Sequence, residues 1–139
     1  NRQWSRQALD CRNKGGTNME NLILIVDDAK FARVIAKKAL QNGGYDNIIE
    51  AATAADALVK FQEYKPDLTL LDITLPDNTD LTLLKKLLAI DPKASIVINS
   101  AIGQDLIIMD ALKAGAKDFI VKPFDEKQFI KIVNHVLGV

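Results

Sequence analysis

The sequence contains a single cysteine, Cys11, and a single histidine, His135. A lone cysteine cannot form an internal disulfide, and one histidine without a cysteine cluster offers no zinc site. No apolar run approaches the roughly 18 residues that a membrane-spanning helix requires. These absences argue against a disulfide scaffold, a zinc protein and a membrane protein. We therefore expect a cytoplasmic protein, with His135 on the surface of the last helix.

The chain also lacks net charge, since 18 basic residues balance 18 acidic residues. Without a positive field it has no general means of holding a nucleic-acid backbone, so we expect no direct binding to nucleic acid. Its 139 residues, 48% of them hydrophobic, can bury one substantial core but are too few for two ordinary domains.

Residues 1–18 differ from the rest because they are polar and carry four basic side chains against one acidic side chain. They lack the apolar stretch of a secretory signal. We interpret them as an N-terminal extension or an expression-tag remnant, with a short helix from Trp4 to Cys11 as the alternative. Residues 19–139 are then predicted to form the functional domain.

From Asn21 onward, short apolar runs alternate with segments whose apolar positions recur at helical spacing. The pattern predicts an α/β protein with a doubly wound parallel sheet, whose binding crevice lies at the carboxyl ends of the strands. The predicted strands are Leu22–Val26, Asn47–Glu50, Asp67–Leu71, Ser95–Asn99 and Asp118–Val121. The predicted helices are Lys30–Gln41, Ala54–Glu63, Thr79–Ile90, Asp105–Ala114 and Asp125–Leu137.

Polar side chains follow four of the five predicted strands. Asp27 and Asp28 follow the first strand, Asp72 the third, Ser100 the fourth and Lys122 the fifth. Because the carboxyl ends of parallel strands meet at one edge of a sheet, we expect these side chains to converge.

Three carboxylates at one edge repel one another, and a hard divalent cation is the usual remedy. Mg2+ fits best because it binds through one or two carboxylates and keeps positions free for a phosphate oxygen. Asp72 follows the central strand and is assigned as a nucleophile that attacks phosphorus. Lys122 can neutralise phosphoryl charge, and Ser100 can donate a hydrogen bond to a phosphoryl oxygen.

Each of these residues also has a purely structural interpretation. Asp27 and Asp28 could cap the helix that begins near Lys30, and Asp72 could end its strand in a turn. Lys122 could be a surface lysine, and Ser100 a loop hydroxyl.

Four motifs carry a resemblance to the receiver domains of response regulators, over about residues 21–139. They are Ile25-Val-Asp-Asp28, Leu71-Asp-Ile-Thr-Leu-Pro76, Ser100-Ala101 and Val121-Lys-Pro-Phe124, in the family's order and spacing. Within the family, the stretches around Ser100 and Lys122 are similar to stand-alone chemotaxis response regulators.

The resemblance implies a flavodoxin-like fold with strand order 2-1-3-4-5 and a cis Lys122–Pro123 bond. It implies that Asp72 is the phosphoacceptor and that Mg2+ is held by Asp27, Asp28, Asp72 and the backbone carbonyl of Thr74. Lys122 would bind the phosphoryl group, while Ser100 and Phe119 would act as the switch residues; by composition alone Phe119 would be a core aromatic.

Two positions depart from the family pattern. Asp80 stands where the family usually has glycine, and Leu75 replaces the usual methionine before Pro76. Aspartate tolerates left-handed backbone, so we expect the loop to survive, although its charge lies near the predicted metal site. The leucine nearly conserves the volume of methionine.

The resemblance implies a phosphorylation-dependent switch of a two-component system rather than an enzyme that turns over an external substrate. A histidine kinase would supply the phosphoryl group, and an output or motor-type protein would dock on the fourth helix, fifth strand and fifth helix. In the fourth helix, Ile108, Ala111 and Leu112 are predicted to be buried, which leaves Leu106 and Met109 exposed. We expect a monomer or weak dimer.

Three alternatives stay open at this stage. The chain could be a phosphorelay intermediate, or a pseudo-receiver that interacts without being phosphorylated. It could also be a phosphohydrolase that uses Asp72 and Thr74, although haloacid-dehalogenase-like phosphatases place their nucleophile after the first strand.

Overall fold

Strands and helices alternate along the chain, as the sequence predicts. The computed structural model describes residues 21–73 and 81–138, and the elements below lie within these ranges. The strands are β1 (Ile23–Val26), β2 (Ile48–Ala51), β3 (Leu68–Asp72), β4 (Ile96–Ala101) and β5 (Asp118–Lys122). The helices are α1 (Lys30–Asn42), α2 (Ala54–Tyr64), α3 (Thr82–Ile90), α4 (Asp105–Ala114) and α5 (Glu126–Leu137).

The five strands form one sheet in the order β2-β1-β3-β4-β5, and every neighbouring pair is parallel. This confirms the predicted doubly wound α/β fold and its strand order. β3 lies at the centre of the sheet, so its last residue, Asp72, is flanked by the ends of β1 and β4.

Two hydrophobic clusters cover the two faces of the sheet, because successive strand residues point to opposite sides. One cluster joins strand residues such as Leu71 and Ile98 to buried residues of α2, α3 and α4. The other joins Leu70, Val97 and Ile120 to buried residues of α1 and α5. We call these the α2–α4 face and the α1/α5 face.

Four strands, β2 to β5, extend beyond their predicted carboxyl ends, and in the last three of them the extension includes a predicted site residue. The parallel ladder continues through the pair Asp72 and Asn99 and through the pair Ala101 and Lys122. Asp72, Ser100 and Lys122 therefore belong to strands instead of following them. The pleat of the sheet, and not a loop, fixes the side of the sheet to which each of these side chains points.

The helix boundaries agree closely with the prediction. At the start of α2, the Thr53 hydroxyl caps the helix by accepting a hydrogen bond from the Asp56 backbone N–H at 3.1 Å. The predicted start of the third helix, Thr79, lies outside the described residues, where α3 begins at Thr82. Among these described residues no helix combines the length and hydrophobicity needed to cross a membrane.

The resemblance also predicts the cis peptide bond between Lys122 and Pro123, and the structure confirms it. The bond directly follows β5, so it lies beside the last polar residue of the sheet edge.

Candidate functional site

Three carboxylates meet at the carboxyl edge of the sheet. One carboxylate oxygen from each of Asp27, Asp28 and Asp72 lies within 4.8 Å of the others, although the residues come from two strand ends. Asp27 and Asp72 are buried, whereas Asp28 is exposed. The cluster is therefore open to solvent on the side of Asp28 and closed beneath by the sheet.

The ammonium of Lys122 reaches this cluster from the far edge of the sheet. Its Nζ lies 2.6 Å from Asp27 Oδ2 and 3.4 Å from Asp72 Oδ2. Burial alone would lower the pKa of Lys122, but the hydrogen bond to Asp27 and the negative charges of Asp72 and Asp27 outweigh it, so the pKa is raised. Lys122 is therefore a cation at every physiological pH.

For Asp27 burial has the larger effect and raises the pKa of the carboxyl group above the ordinary value of 3.8, so that its charged form is disfavoured. The hydrogen bonds from Lys122 and from the Ala29 backbone N–H oppose this rise, whereas the charge of Asp72 adds to it. The site thus holds its negative charges together at a free-energy cost that one lysine offsets only in part.

The backbone at Asp27 is held in place by two contacts. Asp27 Oδ1 accepts a hydrogen bond from the Ala29 N–H at 2.9 Å, and the Arg33 guanidinium donates to the Asp27 carbonyl oxygen at 2.6 Å. Helix α1 has no side-chain capping bond at its first turn. The interpretation of Asp27 and Asp28 as helix caps is therefore wrong for α1.

The donor set fits a hard divalent cation. Three carboxylates opposed by one ammonium leave a formal charge of −2, and carboxylate oxygens are the ligands that Mg2+ prefers. Among the residues that the structure describes, the cluster contains neither a cysteine sulfur nor a histidine imidazole, the ligands that would favour zinc. Its residues could thus hold a divalent cation such as Mg2+.

Ser100 and Phe119 lie on the other side of the sheet. Ser100 is fully buried, and its hydroxyl donates a long hydrogen bond of 3.5 Å to the Ile120 carbonyl oxygen. Phe119 is 37% exposed and pairs in the ladder with Ile98, a residue of the α2–α4 face. Ser100 is two residues after Ile98 on β4, so Ser100 and Phe119 both lie on that face. Thr74, Leu75 and Asp80, which the sequence also singled out, lie outside the described residues.

Two residues of the site region were missed by reasoning from the sequence. Arg33 was not singled out, although its spacing from Asp27 puts it one turn into the following helix. Asn99 is an amide in an otherwise apolar strand, and that polar interruption was the available signal. It is 3% exposed and lies opposite Asp72 in the ladder.

A group of exposed apolar side chains surrounds helix α4, and we call it the α4 patch. Leu106 and Met109 are exposed, as predicted, with 78% of the surface of Leu106 accessible. Ile108 and Ala111 are buried as predicted, but Leu112 is partly exposed, so that prediction was wrong. The part of α4 that faces the sheet is therefore a narrow stripe formed by Ile108 and Ala111, three residues apart. The patch consists of Ile102, Leu106, Ile107, Met109 and Leu112.

His135 is exposed on α5, as the sequence predicts. It lies near the last turn of that helix, outside the acidic cluster.

Comparison with protein families matches residues 23–134 to the response regulator receiver domain. The chain belongs to this family. The match spans every strand of the sheet and most of α5. The family assignment suggested by the four sequence motifs is thereby confirmed.

Two curated relatives of the receiver domain are chemotaxis proteins named CheY. The protein from Bacillus subtilis is 44% identical over 120 residues, which are 86% of this chain and all of that protein. The one from Thermotoga maritima is 42% identical over 118 residues, covering 85% and 98% of the two chains. Among solved structures, the receiver domain of NtrX from Brucella abortus superimposes with a TM-score of 0.79 at 30% identity, covering 84% and 98%.

Receiver domains of this family are signalling modules of two-component systems and not turnover enzymes on external substrates. They bind Mg2+ in an acidic pocket and act with histidine kinases and output partners. The acidic cluster of this receiver domain stands at the sheet edge where such a pocket is expected.

Proposed function

We infer that this receiver domain is a phosphorylation-dependent switch in which Asp72 accepts a phosphoryl group from a histidine kinase. One observation carries the proposal: Asp72 is 2% exposed at the end of the central strand, and its carboxylate lies beside Asp27 and Asp28 and 3.4 Å from the Lys122 ammonium. A carboxylate held at a strand end with a cation beside it is positioned for in-line attack on phosphorus.

In the proposed reaction, one carboxylate oxygen of Asp72 attacks the phosphorus of a phosphohistidine. The bond between phosphorus and the imidazole nitrogen breaks, and its electron pair stays with the nitrogen. Asp27, Asp28, Asp72 and the Thr74 carbonyl would hold Mg2+, which when bound would neutralise charge on the phosphoryl oxygens. Lys122 adds a fixed positive charge on the opposite side.

The proposed switch couples this event to the α2–α4 face. The Ser100 hydroxyl leaves the Ile120 carbonyl, whose hydrogen bond at 3.5 Å is weak, and turns toward a phosphoryl oxygen. Phe119 lies on the neighbouring strand opposite Ile98, two residues before the ladder partner of Ser100 and on the same face of the sheet, and it is proposed to turn into the vacated space. A phosphoryl group thus favours one of two packings of the same side chains.

The output surface is proposed to be formed by α4, β5 and α5, where a protein partner docks. The α4 patch supports this because clustered exposed apolar side chains are typical of interaction surfaces. Repacking of Phe119 at the edge of that surface would change the affinity for the partner. We propose a cytoplasmic monomer or weak dimer that contacts neither membrane nor nucleic acid directly.

The test is incubation of the full chain with Mg2+ and a small phosphodonor such as acetyl phosphate, followed by intact-mass measurement. We expect a gain of one phosphoryl group that hydroxylamine removes, as an acyl phosphate requires. Asp72→Asn should abolish the gain, whereas the matched control Asp110→Asn, an exposed carboxylate on α4, should retain it. No gain in the wild type, with either a small donor or a phosphorylated kinase, would instead support a pseudo-receiver.

A further inference from the structure

Asn99 is a buried polar residue whose amide is not explained by the proposed reaction. Its side-chain oxygen Oδ1 is fully enclosed and has no hydrogen-bond partner among the described residues. Burying a carbonyl oxygen without a donor is unfavourable, and an apolar side chain of similar size would avoid that cost. An acceptor kept in this position suggests that a donor reaches it in another state of the site.

Asn99 lies on the same face of the sheet as the charged cluster. Residues alternate along each strand, and Leu70, Val97 and Ile120 all pack on the α1/α5 face. Their second neighbours along the three strands, Asp72, Asn99 and Lys122, therefore point to that face as well. In the ladder Asn99 stands directly between Asp72 of β3 and Ile120 of β5.

The path of the Lys122 side chain brings its ammonium across β4. Lys122 starts on β5, yet its Nζ lies 3.4 Å from an oxygen of Asp72 on β3, and β4 separates these two strands. On this face, the last two β4 residues are Asn99 and Ala101. The lysine must therefore pass over the strand end that carries Asn99.

Asp27 has two competing uses in this site. Its Oδ2 atom is the nearer of the two carboxylate partners of Lys122, 2.6 Å from Nζ, and its carboxylate also belongs to the acidic cluster. A carboxylate that turns to a cation releases Lys122 from its better hydrogen bond. A partly buried ammonium then needs a replacement acceptor.

We propose that Asn99 is a positioning residue for Lys122, its Oδ1 accepting a hydrogen bond from the ammonium when Asp27 engages a divalent cation. The inference rests on the proposed function, since it requires Mg2+ in the acidic cluster. Asn99 would then hold Lys122 beside Asp72, ready for the incoming phosphoryl group. In the cation-free state the same oxygen lacks a donor.

The test compares Asn99→Val with Asn99→Thr in the full chain, because threonine keeps valine's shape and adds an acceptor oxygen. Mg2+ affinity is measured by calorimetric titration, and melting temperature is measured in chelator. We expect Asn99→Val to bind Mg2+ at least about tenfold more weakly than the wild type, the effect of losing one hydrogen bond to a charged group. Its melting temperature in chelator should not fall, and Asn99→Thr should regain about threefold in affinity.

A second measurement follows the hydrogen exchange of the Lys122 ammonium by nuclear magnetic resonance. With Mg2+ bound, this ammonium should exchange more slowly in the wild type than in Asn99→Val, while the exposed Lys117 exchanges equally in both. Equal exchange of Lys122 in the two proteins, or equal Mg2+ affinity of the valine and threonine variants, would overturn the inference alone. Failure of the wild type to bind Mg2+ would overturn the proposed function, and this inference with it.

Discussion

Removing the Lys122 ammonium should destabilise the fold in a pH-dependent way. Lys122→Met keeps the length of the side chain but leaves Asp27 and Asp72, whose side chains are 2% and 3% exposed, without their shared cation. Two nearly buried carboxylates then repel each other with no cation between them. The Lys122 variant thus isolates what the ammonium contributes to the stability of the receiver domain.

The magnitude follows from the geometry of the two contacts. Removing one partner of a fully buried ion pair costs about 3–5 kcal/mol. The Lys122 side chain is 30% exposed, so water screens part of the interaction, and we take the lower value of about 2–3 kcal/mol near pH 7. The 2.6 Å contact with Asp27 should account for most of this loss.

The pH dependence follows from Asp27. Burial raises the pKa of Asp27 above its ordinary value of 3.8, and Lys122 opposes that rise, so removing Lys122 moves the folded-state pKa further upward. A carboxyl group whose pKa is raised by folding lowers stability as the pH climbs through that pKa. The deficit of Lys122→Met relative to the wild type should therefore be small near pH 4 and largest at neutral pH.

The assay is urea denaturation without Mg2+ at several pH values between about 4 and 8, where the wild-type ammonium stays protonated. Lys117→Met, which removes an exposed lysine just before β5, is the matched control and should change stability by less than about 0.5 kcal/mol. A Lys122→Met deficit that is the same at every pH would refute the assignment to carboxylate repulsion. A deficit equal to that of the control would refute the ion pair itself.

Two further predictions concern packing on the α1/α5 face. Gly43→Ala would place a Cβ atom 2.6 Å from Ile130 Cδ1, so it should lower the free energy of unfolding in urea by about 1–3 kcal/mol. The second change Ile130→Val should recover part of that loss, whereas full stability of Gly43→Ala would contradict the close approach. Tyr45→Phe removes the hydrogen bond to Asn134 and should cost about 1 kcal/mol at neutral pH. Burial raises the pKa of the folded-state Tyr45 hydroxyl above 10.0, so the wild type should lose stability as the pH rises above 10.0 toward that raised pKa. Tyr45→Phe should lose less stability over the same pH range, and equal losses in the two proteins would contradict this.

The sequence alone determined the fold class and the acidic cluster, because both depend on local patterns. Apolar runs of strand length alternating with helical periodicity leave few arrangements other than a doubly wound parallel sheet. In such a sheet the carboxyl ends of the strands converge, so Asp27, Asp28, Asp72 and Lys122 had to meet at one edge. The structure places all four there.

What the tertiary structure decided is how the polar groups pair across strands. The Lys122 ammonium lies nearer to Asp27 than to Asp72, the Ser100 hydroxyl donates to the Ile120 carbonyl, and the Asn99 oxygen is enclosed without a donor. Each outcome depends on where the ladder ends and on which face of the sheet a residue occupies. A shift of one residue at a strand end reverses that face, and hydrophobic periodicity does not fix strand ends so closely. The sequence therefore predicts which groups gather at the site, whereas the ladder of the folded sheet decides which of them bond.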